Sequence, residues 1–306
     1  MIKSHKFMGL ILSLCTSLFL VGCDQAPDKQ AGPTYSDKNV LAKPLYRLAI
    51  HPLHNPRKLI EAYQPLINYL NEQIPSVKFS LEASRDYQTF EKKYQKRGPD
   101  LILPNPWQTL EAMKVGYKVI AMAGDAEDFK GIFIVRKDSG IEKLQDLVGK
   151  AVSYPSHTAL AACVMPQRYL HDNGLNIQTD IENRYVGSQE SSILNALIGE
   201  VAAAATWPPP WRLFQRDRPE DAAQLKVIWK TPHLLNNSVM VRDDFPGNIA
   251  DQLAKLLYGL HETEQGKKIL KSMETQRFYK ADDDSYAVVR DYVNDFERDV
   301  RQVSSP

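Results

Sequence analysis

Two short runs in this sequence carry residue types suited to holding a small anion. Tyr154-Pro155-Ser156-His157-Thr158-Ala159 leads out of an apolar stretch into a helical pattern. The first-turn amides of a helix lack partners within it and sit at the positive end of its dipole, so they attract negative charge. Ser156 and Thr158 add hydroxyls there, and His157 an imidazole. The same residues also suit plain N-capping, with Ser156 closing the helix and nothing more. Gly187-Ser188-Gln189-Glu190 repeats the arrangement, and Ser188 is again either a cap or an anion donor, since both roles use one geometry.

Three further segments could line the same cleft. His51 and His54 lie in the loop His51-Pro52-Leu53-His54-Asn55-Pro56. Pro52 breaks any helical register between them and no acidic or cysteine partner is close, so anion donors or ordinary loop residues are expected, with no metal and no cofactor. In Asn105-Pro106-Trp107 the asparagine reads as an N-cap and the proline as the first helical residue. Trp107 would wall a pocket while its indole N–H donates one hydrogen bond. Trp207-Pro-Pro-Pro-Trp211 reads as a stiff polyproline segment, either a rigid connection or an exposed epitope, with Trp207 near the cleft. Cys163, between Ala162 and Val164, reads as a small buried hydrophobe rather than a nucleophile. Nothing resembles Gly-x-Ser-x-Gly, His-Glu-x-x-His or a glycine-rich P-loop, and no acid completes a triad with Ser156 or Ser188, so an enzyme is not expected. A periplasmic hydrolase is the weakest reading.

The elements that must position these residues follow from the hydrophobic period. At 306 residues, 43% of them hydrophobic, the chain is long enough for two domain-sized units. Strands are predicted at 45–50, 77–83, 100–103 and 117–123, alternating with helices at 56–74, 87–96 and 107–115. After a polar connection at 124–128 come strands at 131–135, 151–154, 185–186, 201–205, 225–229 and 238–241. Helices are predicted at 141–147, from 155 to about 173, and at 191–198, 248–273 and 285–301. Strands alternating with helices give open, largely parallel α/β sheets that bind ligands at the carboxyl ends of their strands.

The ends of the chain and its charge point to export. Residues 1–22 hold Lys3, Lys6, no acid and an apolar run from Phe7 to Val21, the pattern of a secretory signal. Leu20-Val21-Gly22-Cys23 resembles the lipobox of bacterial lipoproteins, which implies lipid on Cys23 and a mature chain starting there. Asp24 resembles the inner-membrane retention signal of enterobacterial lipoproteins. Residues 23–44 are polar and rich in Asp, Lys, Gln, Gly and Pro, the composition of a flexible tether. Lys3 and Lys6 leave with the signal, taking the balance from 38 basic against 37 acidic residues to 36 against 37. No positive excess remains to grip a nucleic acid.

Several weaker motifs in series carry a wider resemblance. Gly131-Ile-Phe-Ile-Val-Arg-Lys-Asp-Ser-Gly140, Leu144-Gln-Asp-Leu-Val-Gly-Lys150 and Ala151-Val-Ser-Tyr-Pro-Ser156 form the centre. They follow Asp100-Leu-Ile-Leu-Pro-Asn-Pro106 and precede Gly187-Ser-Gln-Glu190 and Asn195-Ala-Leu-Ile-Gly-Glu200. Over about residues 45–275 the chain resembles the phosphate/phosphite/phosphonate substrate-binding proteins of ABC transporters. The resemblance implies an α/β, two-lobed type II periplasmic binding protein with two open mixed sheets flanked by helices and a two-crossover hinge. Lobe one would be 45–125 plus 235–306, and lobe two 126–234. It implies a monomer that takes a small oxyanion between its lobes and passes it to permease and ATPase subunits. A ligand-sensing subunit of a signalling system would need the same clamp. In the family a Ser-Thr-Ser-Gly run holds the phosphonate oxygens where this chain has Ser156-His157-Thr158-Ala159, which tips Ser156 toward the ligand. Gln189 replaces a frequent His, and the acid often found near Ala202 is absent, which argues against 2-aminoethylphosphonate.

Overall fold

The structure, a computed structural model, describes residues 43–304; the signal, Cys23 and nearly all of the tether expected above lie outside the described residues. The chain first lays down β1 (Leu45–Ile50), α1 (Pro56–Gln73), β2 (Lys78–Glu82), α2 (Tyr87–Gln95), β3 (Leu101–Leu103), α3 (Pro106–Lys114) and β4 (Tyr117–Ala123). A second series follows: β5 (Ile132–Arg136), β6 (Lys150–Tyr154), α4 (Met165–Asp172), β7 (Ile181–Tyr185), α5 (Gln189–Leu197), β8 (Ala203–Thr206), α6 (Pro208–Asp217), α7 (Pro219–Ala222) and β9 (Leu225–Lys230). The chain then returns through β10 (Ser238–Arg242), α8 (Gly247–Gly259), α9 (Glu264–Ser272), β11 (Phe278–Tyr279) and α10 (Ala287–Asp299).

Two mixed sheets result. The first runs β11-β4-β10-β3-β1-β2 and the second β7-β6-β8-β5-β9. In the first, β1 pairs in parallel with β2 and β3, and β10 lies antiparallel between β3 and β4. In the second, β6 pairs in parallel with β7 and β8, while β5 is antiparallel to β8 and β9. The chain crosses from one sheet to the other twice, between β4 and β5 and between β9 and β10. This is the two-sheet α/β architecture with mixed sheets that the resemblance implies; the largely parallel pairing suggested by the alternation of strands and helices is not found, because β10, β11, β5 and β9 join antiparallel.

Local chemistry explains where the elements start. Asn55 caps α1 by accepting from Lys58 N at 3.1 Å, Asp86 caps α2 and Thr263 caps α9. The buried strand β8 is alanine-rich, with Ala203, Ala204 and Ala205 fully buried, so α5 sits close against it. The Ser192 hydroxyl of α5 shares its one hydrogen between the Ala205 carbonyl at 2.9 Å and the Ser153 carbonyl at 3.0 Å, which fixes that helix on the sheet.

Some elements differ from the sequence expectation. The 207–211 segment is not polyproline: Pro208, Pro209 and Pro210 open α6, because the first amides of a helix need no acceptor and the proline φ already suits a helix. The single helix predicted over 248–273 is broken at Leu260–Glu262, where a tight turn leads to the Thr263 cap. The helix predicted at 141–147 is one short turn, Leu144–Leu147, and the strand predicted at 185–186 begins at Ile181. Near the end of the chain Asp299 pairs with Arg168 of α4 at 3.1 Å and Arg301 reaches Gln167 at 2.8 Å.

Candidate functional site

Each candidate segment begins within a few residues of the carboxyl end of a strand, where open α/β sheets bind ligands. His51 follows β1, Asn105 follows β3, Ser156 follows β6, Ser188 follows β7 and Trp207 follows β8. Gly187 makes the β7–α5 turn with a φ of +84°, a conformation that side-chain-bearing residues rarely adopt.

Hydrogen bonds join the two sheets' loops directly. Asn105 forms a capping box with Gln108, as its sequence suggests, and its Nδ2 also donates across to the Thr158 carbonyl at 3.0 Å. The Thr158 hydroxyl donates to Glu91 Oε1 at 2.6 Å, and Gln108 Nε2 donates to the same oxygen at 3.0 Å. Gln189 Nε2 donates to the Tyr87 hydroxyl at 3.0 Å, while its Oε1 accepts from Thr206 at 2.8 Å. All these side chains are buried.

The helix that starts at the Ser156 loop opens with one wide π-type turn, Leu160–Val164, before α4. Ser156 Oγ lies 3.2 Å from Thr158 Oγ1 and accepts from Thr158 N at 3.4 Å. The His157 ring stacks on Tyr185 with centroids 3.4 Å apart, and its carbonyl accepts from Arg301 at 3.0 Å. Burial and the nearby Arg301 cation lower its basicity. Ser188 caps α5: its Oγ accepts from Ser191 N at 3.1 Å and donates to Ser191 Oγ at 2.8 Å.

Both histidines of the first loop are held below the ordinary histidine range by burial. Burial lowers His51 to about 4, against a weaker upward pull from its bond to the Leu103 carbonyl. That 3.0 Å contact from Nδ1 needs the proton on Nδ1, which leaves Nε2 as an acceptor. Burial and the Lys58 cation lower His54 to about 3. His54 lines a small cleft with Leu53, Lys58, Glu190, Phe214 and Asp217. There Lys58 reaches Asp217 at 3.1 Å and Glu190 at 3.4 Å.

Trp107 is buried at the second position of α3, and Trp207 packs edge-on to Phe129 at 5.5 Å. Trp207 lines a cavity with Leu53, Leu103, Ala123 and Asn237, contributed by the first sheet and its loops. Cys163 is buried, and burial raises its thiol to about 11, which removes it as a nucleophile. Among the described residues no group of three or more His, Cys, Asp or Glu is placed to hold a metal ion, and no helix is long and apolar enough to cross a membrane.

Sequence reasoning missed Tyr87, Glu91, Gln108, Thr206 and Lys58. Glu91 left one readable sign, a lone acid on the face of α2 that carries Tyr87, Phe90 and Tyr94.

The profile of the family described as ABC transporter, phosphonate, periplasmic substrate-binding protein matches residues 48–286. The chain belongs to that family. It is a solute-binding component of the periplasmic type. Solved structures share the fold at low identity. A binding-protein component of an ABC phosphonate transporter from Pseudomonas aeruginosa aligns with TM-score 0.77 and 18% identity, over 84% of this chain and 87% of that one. PhnD1 from Prochlorococcus marinus, in complex with methylphosphonate, aligns with TM-score 0.76 and 18% identity, over 83% of this chain and 98% of that one. The tetrathionate sensor histidine kinase TtrS of Salmonella typhimurium is 23% identical over 154 residues, 48% of this chain and 26% of the kinase. The match thus spans about a quarter of that relative's length.

Proposed function

We propose that this protein captures a small oxyanion of the phosphate, phosphite or phosphonate class between two lobes and delivers it to an ABC permease and its ATPase. It acts by binding without catalysis, as a monomer, held at the inner membrane by lipid on Cys23. The lobes comprise 45–125 plus 235–306 and 126–234, hinged at the two crossings. One observation carries the reading: the strand-end loops of both sheets meet, with Asn105 bonded to Thr158 and Gln189 to Tyr87. A ligand held by the Ser156–Thr158 loop, just ahead of the helix that begins at Leu160, is therefore also walled by the opposite lobe. Asn105, Trp107, Gln189 and Trp207 form the walls, and His51 and His54 shape the neighbouring loop as neutral groups.

A thermal-shift panel of methylphosphonate, phosphite, phosphate, alkanesulfonates and tetrathionate tests this. A binding anion at about 100 times its Kd adds about 2.7 kcal/mol of stability, which is several degrees of melting temperature. A panel with no shift refutes the oxyanion reading. The match to a sensor kinase favours a second reading, in which the clamp reports a ligand to a signalling partner. A shift with tetrathionate alone supports that reading over transport.

A further inference from the structure

Ser156, Thr158, Glu91 and Gln108 form one hydrogen-bonded chain between the lobes. Glu91 is 3% exposed, and its Oε1 accepts from both Thr158 and Gln108. A threonine hydroxyl has a single hydrogen, and Thr158 uses it on Glu91. The 3.2 Å contact between Ser156 Oγ and Thr158 Oγ1 must then run from Ser156 to Thr158. Both hydroxyls, in the loop just ahead of the helix that begins at Leu160, thus send their hydrogens toward the carboxylate and turn lone pairs to anything beside them. The Ser188 hydrogen is committed in the same way, to Ser191. What the loop still offers an anion is the set of first-turn amides.

An anion oxygen without a hydrogen, set against these hydroxyls, places lone pair against lone pair beside a buried carboxylate. An acid hydroxyl in the same place donates to Thr158 Oγ1 while the ligand's other oxygens take the amides. Leaving a buried polar group so mismatched costs far more than one matched bond contributes. We propose that Glu91 sets the specificity of this clamp, selecting oxyanions that keep a proton, such as phosphonate, phosphite or phosphate monoanions, over sulfonates, sulfate and phosphonate monoesters. The inference rests on the oxyanion reading above and names the class of ligand within it. Glu91 acts through Thr158, as a positioning residue.

The test is titration calorimetry with methylphosphonate, its monomethyl ester and methanesulfonate, at a pH low enough that methylphosphonate is a monoanion. All three ligands then carry one charge, and only the first has an acid hydroxyl. The wild-type protein is expected to prefer methylphosphonate by about tenfold or more. Glu91→Leu, which releases the Thr158 hydrogen for the ligand, is expected to erase that preference, chiefly by tightening methanesulfonate and the ester. Glu91→Gln keeps an acceptor oxygen but drops the charge, and is expected to narrow the preference part of the way. Equal affinity of the wild-type protein for all three ligands overturns the inference and leaves the oxyanion reading standing. Equal weakening of all three ligands in both variants assigns Glu91 a purely structural role and also overturns it. If neither the wild-type protein nor Glu91→Leu binds any of the three, the inference falls together with the phosphonate part of the oxyanion reading, and the thermal-shift panel decides phosphate and phosphite.

Discussion

At the scale of single residues, His51 and His54 give the fold a measurable acid sensitivity. In the unfolded chain both take a proton near the ordinary histidine value of about 6.5. In the folded chain His51 resists protonation down to about 4 and His54 down to about 3. Between those limits the unfolded state binds more protons, so stability is full above about pH 6.5 and falls as pH drops toward 4. Each histidine contributes up to about 2 kcal/mol of that loss by about pH 5. The melting temperature is therefore expected to fall between pH 7 and pH 5, and His54→Phe is expected to flatten part of the slope. An unchanged slope in the variant would show that His54 protonates freely in the folded protein. Asn105 was legible at this scale because a cap is a local device. Its second bond, to Thr158, was not, because it joins residues 53 positions apart. Gln189 and Tyr87 are 102 positions apart, and no local pattern announces their contact.

At the scale of elements, the two clearest departures from sequence expectation share a cause. Apolar periodicity continues through both places, while the backbone obeys its terminal groups. In α6 three prolines read as polyproline until the chain is seen to need no amide hydrogen bonds there. Between α8 and α9 the period runs on through Leu260, but Thr263 accepts from Gly266 N at 3.0 Å and starts a new helix. Gly266 is required by that junction: a Cβ there would stand 1.7 Å from the Leu260 carbonyl oxygen, which is backbone and cannot swing away. Gly266→Ala is expected to destabilise the protein by about 2 kcal/mol or more. Urea denaturation would read this as a lower midpoint with an unchanged slope, and a midpoint within error of wild type would mean that the junction adapts freely. The strand ends were the most legible elements, since the buried runs of β1, β3, β6 and β8 stop at polar or proline residues.

At the scale of the whole molecule, the two-sheet plan was readable from alternating strands and helices, and the double crossing came from family resemblance. The ionic contacts between lobes were not readable, because they depend on closure. Lys58 of α1 spans Glu190 of α5 and Asp217 of α6, with about a third of each side chain exposed. Pairs this accessible contribute roughly 0.2–1 kcal/mol each and weaken with salt. Lys58→Met is expected to speed ligand release by roughly fivefold at low ionic strength. At high salt the variant and wild type are expected to converge. Stopped-flow release rates check both, and a difference that survives high salt would count against an ionic latch.

The far end of the chain is tied to both sheets' sides of the molecule. The segment leading into α10 is fastened to the first sheet, with Asp283 accepting from Val119 N at 2.8 Å and the Tyr286 hydroxyl donating to the Asn236 carbonyl at 2.7 Å. Its far end holds Arg168 through Asp299, and beyond it Arg301 grips Gln167 and the His157 carbonyl. The tail is thus a leash as well as a helix. In the clamp proposed above, two crossings alone leave the stroke of the jaws to the hinge, whereas a leash tied to the Ser156–Thr158 loop gives that stroke a stop, and any wider gape must first unfasten Arg301.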